Sequence, residues 1–109
     1  MRPIPILVLM VLLPFWLSAY SLAEGKDQGA VIYQTYCAPC HATGMVGTPI
    51  VGDKEAWKLR LWKGKDALIK NSIEGYKGDR GVMPPRGGHD KLSDTEVVSA
   101  VEYMIAESR

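Results

Sequence analysis

The clearest periodic stretch lies at the C-terminal end, where Val97, Ala100, Val101, Met104 and Ile105 fall on one face at helical spacing. It is preceded by Ser93-Asp94-Thr95-Glu96, a capping box in which hydroxyl and carboxylate each satisfy a free backbone N–H. Earlier stretches are shorter. Ala30, Val31, Ile32, Tyr33 and Tyr36 predict a helix from near Asp27 to Cys37. Asp53 caps a second helix running to about Lys63, with Trp57 and Leu61 on a shared face and Gly64 at its end. A third opens at Asp66, carries Leu68, Ile69 and Ile73, and closes at Gly75. Residues 42–52 and 75–90 are rich in glycine and proline and are expected to be irregular loops. No segment sustains a period of two, so the expected class is all-α with about four helices.

A different pattern occupies the N-terminus. Residues 4–17 carry no charged or polar side chain, follow Arg2, and lead into Ser18-Ala19-Tyr20-Ser21-Leu22-Ala23. A positive charge, a short apolar run and a small-residue exit predict a secretory signal peptide over residues 1–23, cut ahead of Glu24. The run is shorter than the ~20 residues a spanning helix needs, and Pro14 interrupts it. A retained anchor is the alternative, and only then is membrane contact expected.

Without the leader, 86 of the 109 residues remain, as the domain 24–109. Loss of Arg2 reduces the 13 basic residues to 12, equal to the 12 acidic ones, which argues against nucleic acid as a partner. A domain of this size buries little apolar surface unaided and usually relies on disulfides, a metal or a large cofactor. Only two cysteines are present, so such support must come through them.

Those cysteines stand in Cys37-Ala38-Pro39-Cys40-His41. The C-x-x-C-H run is the attachment signal of a c-type haem. Two thiols one helical turn apart can each add to a porphyrin vinyl group, and the next residue supplies an imidazole to the iron. The rivals fit less well. A thioredoxin-like pair calls for a βαβ context, and a zinc site calls for four ligands where only His89 supplements the pentapeptide. A bare Cys37–Cys40 disulfide closes too small a loop to stabilise much. The expected cofactor is therefore one haem c with its iron, held by Cys37 and Cys40 and ligated by His41. For the sixth iron position the candidates are Met45, Met83, Met104 and His89, plus water. Met83 is expected, because Met83-Pro84-Pro85 lies in a glycine-rich loop long enough to reach the opposite haem face. His89, in the same loop, is the competing ligand.

With these residues in view, the chain resembles the class I c-type cytochromes, and most closely the cytochrome c5 family. The likeness covers nearly all of residues 28–106. It rests on the haem pentapeptide, Gly47-Thr48-Pro49, Gly52-Asp53-Lys54 with Trp57, Met83-Pro84-Pro85-Arg86-Gly87-Gly88, and Ser93-Asp94 leading to Val101-Glu102-Tyr103-Met104. The resemblance implies the class I cytochrome fold, a contact of Gly29 and Tyr33 with Tyr103, and a Pro49 carbonyl that accepts from the His41 imidazole. Many c5 proteins carry a second cysteine pair after the Gly-Gly of the methionine loop. This chain has Gly87-Gly88-His89-Asp90-Lys91 there, so its loop should depend more on Pro84 and Pro85.

The resulting expectation is a periplasmic monohaem carrier of single electrons between respiratory-chain donors and acceptors. It is expected not to be an enzyme. A haem peroxidase or a gas sensor are the alternatives, and both need an iron position that Met83 does not hold. Trp57 either lies near a haem propionate or packs, whereas Trp62 is expected to pack. Arg60 and Arg86 could pair with propionates, but the favoured reading is solvated surface. Residues 54–91 hold ten basic and five acidic side chains. Either this is an ordinary mixed surface or it steers an acidic redox partner toward the haem edge.

Overall fold

The computed structural model describes residues 2–3 and 28–109, so the predicted leader and cut lie almost wholly outside the described residues. Helix α1 covers residues 28–41, α2 Lys54–Trp62, α3 Lys65–Glu74 and α4 Asp94–Ser108. The expected all-α class holds. No described helix is long and apolar enough to cross a membrane.

Helix α4 is the spine of the core. The Ser93 side chain accepts from the Glu96 N–H while Glu96 accepts from the Ser93 N–H, completing the predicted capping box. Val97, Ala100, Val101, Met104 and Ile105 are all buried, joined by Ile32 and Tyr33 of α1, Trp57 of α2 and Leu92. Helix α1 crosses α4 at Gly29. A Cβ there would intrude on the Ser99 carbonyl, 3.0 Å from its carbon, and lie 3.2 Å from the Tyr103 Cβ. The Tyr33 and Tyr103 rings meet at 5.3 Å, so the expected Gly29–Tyr33–Tyr103 contact is formed.

Helix α1 departs from expectation by running four residues beyond Cys37, through a π-helical stretch at Tyr33–Cys37 and a closing α-turn at Ala38–His41. Pro39 supplies the reason. Its ring crowds the carbonyl four residues back and it donates no hydrogen bond. The wider turn, in which the Ala38 N–H reaches the Tyr33 carbonyl, accommodates it.

Residues 75–90 also differ from the expected irregular loop. Strands β1 (Tyr76–Lys77) and β2 (Val82–Met83) pair antiparallel, with Tyr76 opposite Met83 and Lys77 opposite Val82. The Gly78 N–H bonds the Gly81 carbonyl at 2.8 Å across the turn. A ladder of two rungs is too short to leave a period-two signature. A 3-10 turn follows at Pro85–Gly88, and another occupies Met45–Gly47 within the first loop. Helix α3 begins one residue early, at Lys65, with Gly64 as its N-cap.

Candidate functional site: the Cys-X-X-Cys-His turn and the methionine hairpin

The closing turn of α1 carries Cys37, Cys40 and His41. Cys37 and Cys40 are half-buried free thiols three residues apart, hence on one side of the helix. Burial, assisted by the neighbouring Cys40, pushes the Cys37 thiol up to about 11. That is opposite in direction to the lowered thiol pKa of a dithiol redox pair.

His41 is buried, and its Nδ1 lies 2.9 Å from the Pro49 carbonyl oxygen, as the resemblance implied. A carbonyl can only accept, so Nδ1 carries the proton and Nε2 keeps its lone pair free to bind a metal. Burial is the main influence lowering the His41 pKa and the Arg60 charge adds to it, while the Pro49 bond opposes both. The ring is accordingly held neutral, which is the state that ligates. The two residues that follow Pro49 are each anchored by a hydrogen bond. The Val51 N–H bonds the His41 carbonyl at 2.8 Å, and the Trp57 indole N–H donates to the Ile50 carbonyl at 2.9 Å. Trp57 is buried with its ring 6.3 Å from that of His41. Of its two expected roles, the structure displays packing.

Met83 comes from a separate element, the short hairpin, and is half-buried. Two close approaches position its backbone. A Cβ on Gly75, where φ is +88°, would lie 3.1 Å from the Met83 carbonyl oxygen and 3.0 Å from Pro85 Cδ. Gly47, with φ +75°, meets the Arg80 backbone at the hairpin turn, its Cβ position being 3.1 Å from the Arg80 carbonyl carbon. The loop that follows His41 therefore touches the hairpin that carries Met83. The other candidates are placed elsewhere. Met45 is exposed, Met104 is buried in the α4 core, and the exposed His89 meets the Tyr36 ring edge-on at 4.8 Å.

Both arginines depart from the solvated-surface reading. Arg60 is half-buried and its guanidinium bonds the Ala56 carbonyl one turn back. Arg86 sits in the left-handed region at φ +54°, the one described non-glycine residue with a positive φ. Its Nη1 donates to the Leu92 carbonyl at 3.0 Å and its Nη2 pairs with the Asp94 carboxylate. This clamp ties the loop after Met83 to the start of α4, close to where the missing cysteine pair would lie. Arg86→Ala is expected to cost about 1–2 kcal/mol, with Arg86→Lys recovering only part because it lacks the fork. Denaturant titration of the two variants checks this.

Trp62 also differs from expectation. It is 90% exposed.

The chemistry of the donor set fits a covalently held haem: two unpaired thiols on one helical turn, followed by an imidazole with a free Nε2. Helix α3 faces the core cluster with Leu68, Ile69 and Ile73, all only partly buried, as suits the apolar flank of a large planar group. Among the described residues no cluster of three His, Cys, Asp or Glu side chains forms that could hold a bare ion.

The comparisons with known proteins agree. Residues 24–104 match the family model described as cytochrome C oxidase, cbb3-type, subunit III. Cytochrome c-555 of Chlorobaculum tepidum is 48% identical over 91 residues, covering 84% of this chain and 81% of the relative. Cytochrome c5 of Azotobacter vinelandii is 37% identical over 82 residues, covering 73% and 94%. Among solved structures, a chain from the electron transfer complex of nitrite reductase with cytochrome c aligns with a TM-score of 0.66 and 38% identity. That alignment covers 75% of this chain and 95% of the other.

The chain belongs to the c-type cytochromes, within the family of small monohaem electron carriers that includes the c-555 and c5 proteins. Its fold is the class I cytochrome fold and its cofactor is haem c with iron.

Proposed function

We propose that the protein is a periplasmic one-electron carrier in which Cys37 and Cys40 hold the haem by thioether bonds and His41 and Met83 ligate its iron. The observation that carries this reading is the His41–Pro49 hydrogen bond on the turn bearing both thiols. The haem, when bound, supplies an iron that cycles between two oxidation states. The chain's residues do the rest. Pro49 fixes the His41 tautomer and ring orientation, and Trp57 secures the neighbouring Ile50 carbonyl. Met83 would contribute a thioether, a soft donor that favours the reduced metal and raises the potential. It is supported as the sixth ligand by its half-buried place on a hairpin fixed through Gly47 and Gly75, whereas His89 is exposed against Tyr36.

With His41 and Met83 both bound to the iron, the haem would offer no position to a substrate, which favours a carrier over a peroxidase or gas sensor. The partners are redox proteins, and the basic surplus of residues 54–91 suits those with acidic faces. The optical spectrum of the ferric protein tests the ligand assignment. It is expected to be low-spin, with the weak red band of Fe–S(Met) ligation. Met83→Ala should abolish that band, and His89→Ala should leave it. A high-spin spectrum of the intact protein would overturn the carrier reading.

Residues 1–23 act in this reading as the export signal. Mass spectrometry of the protein purified from whole cells is expected to show a chain starting at Glu24 and carrying one haem. A retained Met1 would instead establish the anchor.

A further inference from the structure

Helix α2 carries a feature that the haem site does not use. Its buried side holds Trp57, with Leu61 partly buried beside it, while Leu59 and Trp62 are 79% and 90% exposed. Three residues apart, these two large apolar side chains are neighbours on the outward face. On helical spacing Lys58 neighbours Trp62 and Lys63 neighbours Leu59, both exposed, while Glu55, the one acidic residue of the helix, lies one turn before Leu59. Scattered apolar residues are ordinary on a surface, but an adjacent tryptophan and leucine flanked by lysines have the composition of an interface anchor.

The face is also continuous with the hairpin. Lys63 Nζ donates to the Tyr76 hydroxyl at 3.0 Å and lies 4.8 Å from the Tyr76 ring centroid. Tyr76 stands opposite Met83 in the ladder, and Val82 beside Met83 is 58% exposed. From Trp62 to Met83 the path thus runs through Lys63 and Tyr76.

We propose that Trp62 and Leu59, flanked by Lys58 and Lys63, form the docking surface for a redox partner with a shallow apolar pocket bordered by carboxylates. This rests on the carrier reading and names the partner's chemistry. Two arguments select this occupant. The flanking lysines complement acidic side chains in sign, and the face adjoins Met83, so occupancy by a redox protein places the two centres near one another. An anionic bilayer satisfies the first argument and not the second. The lysines steer encounter and set its salt dependence, and Trp62 supplies the desolvated contact that holds the complex.

The test is voltammetry of the holoprotein on two gold electrodes, one with a pure carboxylate monolayer and one with carboxylate and methyl termini mixed. Wild type is expected to adsorb more tightly on the mixed monolayer. Trp62→Ala should lose about tenfold in adsorption constant there and change little on the pure one, with Trp62→Phe recovering most of the loss. Equal adsorption of wild type and Trp62→Ala on the mixed surface would overturn the proposal, as would the same loss on both surfaces. Flotation with vesicles of phosphatidylglycerol and phosphatidylcholine is expected to leave the protein behind. Trp62-dependent co-flotation would assign the face to lipid instead. Absence of a reversible one-electron wave from wild type on either electrode would remove the carrier reading and the proposal with it. A normal wave indifferent to Trp62 would remove the docking assignment alone.

Discussion

Trp57→Ala is expected to lower the unfolding free energy of the holoprotein by about 3–5 kcal/mol, the range for deleting a buried aromatic side chain. Trp57 is 4% exposed and is the one core member that α2 contributes in full. Its removal leaves α2 attached mainly through Leu61 and Ala56, both only partly buried. A second consequence is local to the site. The indole N–H holds the Ile50 carbonyl, and the preceding Pro49 carbonyl holds His41. Truncation frees one end of the segment that orients the imidazole. The ferric spectrum of Trp57→Ala should therefore show increased high-spin content on warming, well before global unfolding. Trp57→Phe keeps most of the packing and loses only the hydrogen bond, at a cost of about 1 kcal/mol beyond the volume change. Thermal melts followed by far-ultraviolet dichroism and by the haem spectrum separate the two effects. Equal loss in both variants would show that the N–H, not the packing, dominates.

Helix α4 was legible because local and global signals coincide there: one capping box, one apolar stripe, one buried face. The Cys37–His41 turn was legible because its chemistry demands fixed spacing. The hairpin was not, since two rungs leave no period, and its placement depends on contacts of Gly47 and Gly75 with distant backbone. The Arg86 clamp combines a left-handed backbone with a carbonyl six residues on, and neither is visible in residue type. Trp62 is a different case. At 100° per residue it stands roughly 140° around α2 from Trp57, so both cannot face one core. That signal was in the sequence. The apolar character of indole does not by itself decide packing; helical position does.

Gly47→Ala is expected to destabilise the protein by about 2–4 kcal/mol and to weaken the methionine band, two effects with separate physical origins. At φ +75° an L-residue is strained, which alone costs about 1–2 kcal/mol. In addition the new methyl would enter the space of the Arg80 backbone, its carbonyl carbon and Cβ both standing 3.1 Å from the Cβ position. Backbone cannot rotate away as a flexible side chain does, so either the 45–47 turn or the hairpin tip must shift. The hairpin is the softer of the two, being a two-rung ladder closed by one turn hydrogen bond between Gly78 and Gly81. Moving it displaces Met83, which is two residues from that turn bond. Gly52→Ala is the matched control, because Gly52 has φ +92° but nothing within 4 Å of its Cβ position. That variant should show the strain cost alone and keep a full band. If both variants lose the same stability and both retain the band, contact with Arg80 does not position Met83. If only Gly47→Ala weakens the band, the loop following the Cys37–His41 turn and the hairpin that carries Met83 act as one mechanical unit, joined where a glycine lets two backbones meet.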